Sequence, residues 1–530
     1  MTMGECFIKT GKKEFDELIP RVESFLKEDL LELDIDGQHI RGYRSPDTPA
    51  IWIRDYSDML RGIRYFESDL KSTVQHFADT QAVNGRIFDY FTTTPEKLPC
   101  EKENWTKYVR VPVEADVEYR FIKAAFLSWQ ADGDDSWIRA LIPNMDKAID
   151  YALGHPHRFD QGSQLVKRPY TIDTWDFAYT AGKHDWLQFQ IDGNTYWGIS
   201  HADNSGYYEA LKILESLTRY FDDSIKADKY FRIAEKLKTH CNELCWNGSF
   251  YTHFIKLNKC DIPGVDEELQ LSLSNPMAIN RGMTFFEQAE AILLEYQDRR
   301  SKKEEFFAEW YSIDPPFPDG IFGDAKLKGG AYINGGIFPL VGGELAKAAF
   351  ENGFESYGVD ILLRYDKLIR QHNGSWLWYF PDGSPSTAET STSPQATSTD
   401  GWGSTAMLYA LVSGLAGIED HSKQFRNIRI APRWLAAGTD KARIKLVYPS
   451  SSSSVEYDYE YHPERLKLEI WTRDSQAAIH ILVPQDIVAA RVELNGEPIE
   501  YSFEIIRDSR YINFPAHIIE RSLIEVHFEL

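Results

Sequence analysis

Three short stretches of the 530-residue chain set acids beside aromatic rings or hydroxyls, a pairing that suits proton transfer on a carbohydrate. Asp176 stands between rings in Thr174-Trp175-Asp176-Phe177, and Glu389 stands among hydroxyls in Ser386-Thr387-Ala388-Glu389-Thr390. Apolar surroundings raise a carboxyl pKa and favour a proton donor, whereas hydroxyl donors hold a carboxylate ionised and suit it to act as a base. Cleaving a glycosidic bond without a cofactor needs such a donor and such a base on converging loops. The third stretch, Trp52-Ile53-Arg54-Asp55, offers a ring, a donor and an acceptor for adjacent sugar hydroxyls. Each has a structural alternative: an N-cap and local ion pair at Arg54-Asp55, a buried hydrogen-bonded Asp176, and a solvated loop Glu389.

Composition agrees with a sugar ligand. The 14 Trp, 28 Tyr and 30 Phe make up 14% of the chain, and several sit beside Gly, Asp and Asn in loop-like segments, Trp378 and Trp402 among them. The C–H face of a pyranose stacks on such rings while its hydroxyls seek nearby donors and acceptors. The net charge of −23 repels nucleic acid and anionic membrane surfaces. The N-terminus lacks the apolar run of a signal peptide, and the longest apolar stretch, near Ala406 to Ile418, is too short to span a bilayer. These features point to a cytoplasmic protein. Five cysteines, an odd number, fit a reducing compartment. Cys241 and Cys245 lack His partners at ligand spacing, so they read as buried thiols, and no metal or cofactor is expected.

The elements that must position these residues follow from periodicity. Helical spacing of apolar residues predicts twelve helices, near 13–31, 56–67, 69–82, 115–131, 135–153, 202–220, 223–245, 267–280, 283–299, 334–350, 353–371 and 402–418. Tight connections pair them, the last closing against the first, and the long connections between pairs emerge at one end, where function is expected. Charged runs such as Lys226 to Lys238 mark one helix of a pair as outer, and small-residue segments such as Asn334 to Phe350 mark the other as inner. After Glu419 the period falls to two, predicting antiparallel strands with turns near 449–454, 474–475 and 495–496. The expected architecture is mainly α: a helical ring over 1–419, followed by a β-sandwich over 420–530.

This layout resembles the six-hairpin glycosidases, whose (α/α)6 toroid is shared by glucoamylases, trehalases, processing α-glucosidases and α-L-rhamnosidases. The resemblance covers nearly the whole chain, and it implies roles. Trp52, Arg54 and Asp55 stand where glucoamylases hold the terminal sugar, and Asp176 of Trp175-Asp176-Phe177 matches the general acid of the trehalase and processing-glucosidase families. Glu389, followed by Gly401-Trp402, resembles their base, and Tyr332-Ile333-Asn334-Gly335-Gly336 resembles their glycine-rich substrate loop. The full trehalase signatures are absent, and the terminal β-region is more similar to that of α-L-rhamnosidases, so no single sugar carries over. Glu114, in Pro112-Val113-Glu114-Ala115-Asp116, competes for a catalytic or sugar-binding role, with a helix-start acid as its structural alternative.

The reading is an exo-acting, inverting glycoside hydrolase acting on an oligosaccharide or glycoside, with Asp176 and Glu389 as acid and base. The substrate-binding set is Trp52, Arg54, Asp55, Glu114, Trp175, Asn334, Gly335, Trp378 and Trp402. Its rivals are a glycoside phosphorylase on the same ring, a sugar epimerase using histidines such as His184 and His201, and a glycan-binding protein without turnover.

Overall fold

The computed structural model describes residues 5–44, 49–93, 107–183, 189–390 and 396–529. Cys100 and His184 lie outside them.

A closed ring of six inner helices forms the larger part. They are Ile53–Ile63, Val117–Asp132, His201–Tyr220, Ser274–Asn280, Pro339–Glu351 and Gly401–Tyr409, each packed against the next, and the last closes against the first. Outer helices, among them Asp135–Gly154, Ser224–Cys245 and Glu355–His372, flank the ring, and Leu18–Asp29 covers Gly401–Tyr409 from outside. The sorting follows from residue type. Every residue of Ile53–Ile63 is buried, while Ser224–Cys245 buries only a stripe, which includes Ala227, Tyr230, Ala234, Leu237 and Cys241. Where inner helices approach most tightly, glycine is required: a Cβ on Gly343 would collide with the backbone of Ala406, and one on Gly206 would collide with the ring of Tyr119.

Three inner helices begin elsewhere than periodicity predicts. The first inner helix starts at Ile53, so Arg54 and Asp55 occupy its first turn and not the loop before it. The helix expected over 267–280 is confined to Ser274–Asn280, because Leu271–Ser272 is taken up in a ladder with Ile313–Asp314. In the tenth helix, Pro339 occupies the first turn, where its missing N–H has no partner to lose, and the Gly-rich segment before it stays loop.

The chain is 38% helix and 26% strand, so mainly α understates the sheet. Nor do the C-terminal strands form two separate sheets. With Phe7–Lys9 they make one hydrogen-bonded sheet of ten strands, organised by two long ones, Arg465–Val483 and Ser509–Glu529. A register shift between Thr472 and Asp474 divides the long pair. Before it, Arg465–Val483 borders Ser453–His462; beyond it, the same strand borders Asn427–Ile430 in parallel. The shift lets one ribbon serve two sets of neighbours. Phe7–Lys9, from the opposite end of the chain, pairs with Lys441–Tyr448 and ties the N-terminus into this sheet.

Connections at the N-terminal end of the inner helices carry small sheets of their own. Ala50–Trp52, Tyr90–Thr92 and Tyr108–Val109 form one, and Phe159–Asp160, Leu165–Pro169, Trp197–Ile199 and Ile255–Lys256 form another. The loops that bear Trp52 and Asp176 are thereby anchored by backbone ladders. Among the described residues, no helix is long and apolar enough to cross a membrane.

Candidate active site

Asp176 follows a turn fixed from several sides. Asp173, at φ +49°, accepts from Ser274 Oγ at 2.5 Å, and its N–H meets His253 Nε2 at 2.9 Å. Thr171 Oγ1 donates to the Asp173 carbonyl at 2.7 Å, and the buried Arg168 donates to the carbonyl of Trp175. Asp176 itself is part-exposed. Burial nevertheless pushes its pKa up to about 6; the nearby Glu114 carboxyl adds to the rise and Arg54 opposes it. A carboxyl so placed keeps its proton to a higher pH than an ordinary aspartate and can deliver it.

Rings line the same end. Trp175 donates its indole N–H to Tyr332 Oη at 3.2 Å and meets that ring edge-on at 5.1 Å. Phe338 and Trp402 lie 6.0 and 6.2 Å from Trp175, and Trp378 lies 6.1 Å from Tyr332. Trp402 donates to Asp58 Oδ2 at 3.0 Å, and Asp58 also accepts from Arg120. Trp52 stacks on Tyr90 with centroids 4.0 Å apart, held by the Trp52–Tyr90 pairing of their strands.

Beneath Asp176 lies a buried ionic layer. Arg54 donates through Nε and Nη2 to the two oxygens of Asp116, at 2.9 and 3.2 Å, and through Nη2 to Glu114 Oε1. Burial would raise Asp116, but Arg54, Arg120 and Arg168 hold it down to about 2. Glu114 behaves oppositely. Burial lifts it well above the ordinary range, and it faces the buried carboxyl of Asp89, itself pushed up to about 6 mainly by burial. Glu114 Oε2 and both Asp89 oxygens have no donor among the described residues; a proton held on Glu114 lets it donate to one Asp89 oxygen.

Glu389 stands in a different setting. The loop between Glu355–His372 and Gly401–Tyr409 first forms a tight hairpin, with Phe380 N–H donating to the Ser384 carbonyl at 2.8 Å. Glu389 follows in an exposed turn in which Thr390 N–H donates to the Thr387 carbonyl at 3.1 Å. The Thr387 hydroxyl lowers the pKa of Glu389, the backbone N–H adds to this, and Lys326 of the preceding loop contributes.

The structure thus draws Arg54, Glu114, Trp175, Asp176 and Trp402 together, with Asp55 buried in the helical turn beside Arg54. Asn334 serves the loop itself: it accepts from Phe317 N–H at 2.7 Å and donates to the carbonyls of Phe317 and Leu327. Gly335, at φ +100°, lets that loop close against Gly330 and Pro316. Trp378 is buried, its indole N–H without an acceptor among the described residues. His201 is buried as well, pushed down to about 4 mainly by burial, and stacked on Tyr251. Sequence reasoning passed over Asp58, Arg120 and Arg168, on helices or a strand, and Asp89, in the bend before Tyr90–Thr92; all look like ordinary solvated charges until burial is known.

No protein-family model and no curated protein sequence matches the chain. Solved structures do. An α-L-rhamnosidase from Dictyoglumus thermophilum aligns over 99% of this chain and 50% of its own, with TM-score 0.60 at 11% identity. An α-L-rhamnosidase from Streptomyces avermitilis, complexed with L-rhamnose, aligns over 98% and 42%, with TM-score 0.59 at 12% identity. The GH63 mannosylglycerate hydrolase of Thermus thermophilus aligns over 75% of this chain and 100% of its own, with TM-score 0.51 at 12% identity. The chain therefore spans half or less of these two rhamnosidases and shares the fold of the three structures.

Proposed function

We propose that the protein is an exo-acting glycoside hydrolase in which Asp176 protonates the departing oxygen and Glu389 activates the water that displaces it. The observation carrying this reading is Asp176: an acid pushed up to about 6 by burial, on an anchored turn, among the rings of Trp175, Trp402 and Tyr332. Trp52, Trp175 and Trp402 stack on the terminal sugar. Asp55 accepts from its hydroxyls, and Arg54 orients Glu114 and Asp116 beneath it. The shared fold of rhamnosidases and a mannosylglycerate hydrolase supports the chemistry class and leaves the sugar open.

Glu389 is assigned as base because its ionised form is favoured and its loop leads into Gly401–Tyr409. An exposed base that acts through water belongs to inversion, with the carboxyls roughly 6.5–9.5 Å apart across the bound sugar. Trp378, Asn334 and Gly335 act by shaping the loops. A cytoplasmic location fits the same reading, as the four described cysteines are free thiols.

The test is a panel of aryl α-glucosides, α-mannosides and α-rhamnosides, with the first-formed product anomer followed by NMR. Turnover with inversion supports the proposal. Retention removes Glu389 as a base acting on water, and phosphate-dependent turnover replaces hydrolysis by phosphorolysis.

A further inference from the structure

The opposite mouth of the helical ring holds a cavity of about 380 Å³, lined from the middles and C-terminal ends of all six inner helices and by the segment that leads into the sheet. It is separated from the aromatic end by a plug of charges. Asp58, which accepts from Trp402, also lies 3.9 Å from Arg61, and Arg61 donates to Glu344 at the cavity wall. A second hollow of about 330 Å³ adjoins it and shares Asn280, Lys347, Tyr409 and Glu419.

The lining is rich in cations for a chain of charge −23: Arg61, Arg64, Lys123, Arg281 and Lys347 all face this space. Its acids are already engaged. Glu344 is held by Arg61 and Asn280, Glu209 by Lys123 and Arg281, and Glu419 by Lys347 and Arg429. Asp420 accepts from the backbone N–H groups of Ser422 and Phe425. Part of the basic set answers the carbonyl ends of six helices pointing this way.

Arg64 goes beyond that. It is only 4% exposed; the Asp420 carboxyl of the same lining feels its charge, but among the described residues no carboxylate forms an ion pair with it. Its guanidinium donates to Gln130 Oε1 and to Tyr65 Oη at 3.3 Å, and faces the rings of Tyr65 and Tyr448 at 5.2 and 5.6 Å. Its Nε, and Nη2 of Arg61, are buried without an acceptor among the described residues. Burying a charge without a close counter-charge is costly, so an arginine with unaccepted N–H groups at the wall of a ligand-sized cavity has donors to offer an anion.

We infer that this rear cavity binds a small oxyanion, a phosphorylated or carboxylated small molecule, whose oxygens accept from Arg64, Arg61 and Lys123. The shape of a planar guanidinium suits either oxyanion class.

Calorimetric titration of the full chain with inorganic phosphate, glucose 6-phosphate and citrate, at matched ionic strength in sodium chloride, tests this. At least one should bind saturably near one per chain, weakened roughly tenfold or more in Arg64→Gln and in the half-buried Lys123→Gln. The responding compounds tell phosphoryl from carboxylate recognition. Asp176→Asn should bind as the wild type does, which separates this site from the aromatic end and makes the result independent of any glycosidase activity. No saturable binding of any of the three, or binding unchanged in both Arg64→Gln and Lys123→Gln with folds intact by circular dichroism, overturns the inference, as does loss of binding in Asp176→Asn.

Discussion

The two candidate acids stand in loops of opposite character. The Asp176 turn is fixed by Ser274, His253, Thr171 and Arg168, and burial raises its acid; the Glu389 turn bonds mostly within itself, is exposed, and has a lowered acid. The difference teaches how one ring can set two carboxyls in opposite states, as the proposed acid and base require. A proton donor must be held against the leaving oxygen and kept protonated, which suits a rigid turn whose surroundings raise its acid. A base acting through water needs charge and solvent, which an exposed hydroxyl-rich turn accomplishes.

The strongest way to break this contrast is Asp176→Asn. Turnover of an alkyl glycoside should fall by about 10³–10⁴-fold, while thermal stability at neutral pH stays level or rises. The sign follows from linkage. A carboxyl raised from 3.8 to about 6 adds stability that is fully present below 3.8 and lost as pH rises through 6, so at neutral pH the ionised group is a burden that the amide removes. A thermal melt beside the rate measurement checks both.

Glu389→Gln should cost about 10²–10³-fold in kcat, with partial recovery by added azide as an external nucleophile. A loss below about twofold would make Glu389 a solvated bystander. Trp402→Phe, which removes the indole bond to Asp58 and part of the stacking face, should lower kcat/KM roughly tenfold, with KM carrying most of the change.

The pH profile sharpens the comparison. kcat/KM should decline on the alkaline side near pH 6, as Asp176 loses its proton, and on the acid side below the ordinary glutamate range, as Glu389 gains one. The smallest expected effect is Thr387→Val: losing the hydroxyl that lowers Glu389 should move the acid limb upward and leave the alkaline limb in place.

Much of this frame is legible in the chain. Tight turns between helices and long connections between pairs announce a ring, because only short links allow antiparallel neighbours, and the predicted inner helices close on one another as observed. The sheet was legible in its alternation but not in its joining: the turn expected at 474–475 falls inside the continuous strand Arg465–Val483, where only the register shifts. Nothing local tells Arg465–Val483 to change partners at Thr472, or Phe7–Lys9 to pair across more than four hundred residues. At the site, Trp175 and Asp176 stood out because rings beside an acid in a loop are costly without use. Asp58, Arg120 and Arg168 did not, since a charge on a helix or strand reads the same buried or exposed until its partners, tens of residues distant, are brought to it.

The most direct test compares leaving groups in Asp176→Asn. If Asp176 donates the proton, activity on an alkyl glycoside falls by about 10³-fold or more, while activity on the matching dinitrophenyl glycoside, whose leaving group departs unaided, falls by less than about tenfold. Equal losses on both substrates, or near-wild-type activity on the alkyl glycoside, would contradict the assignment.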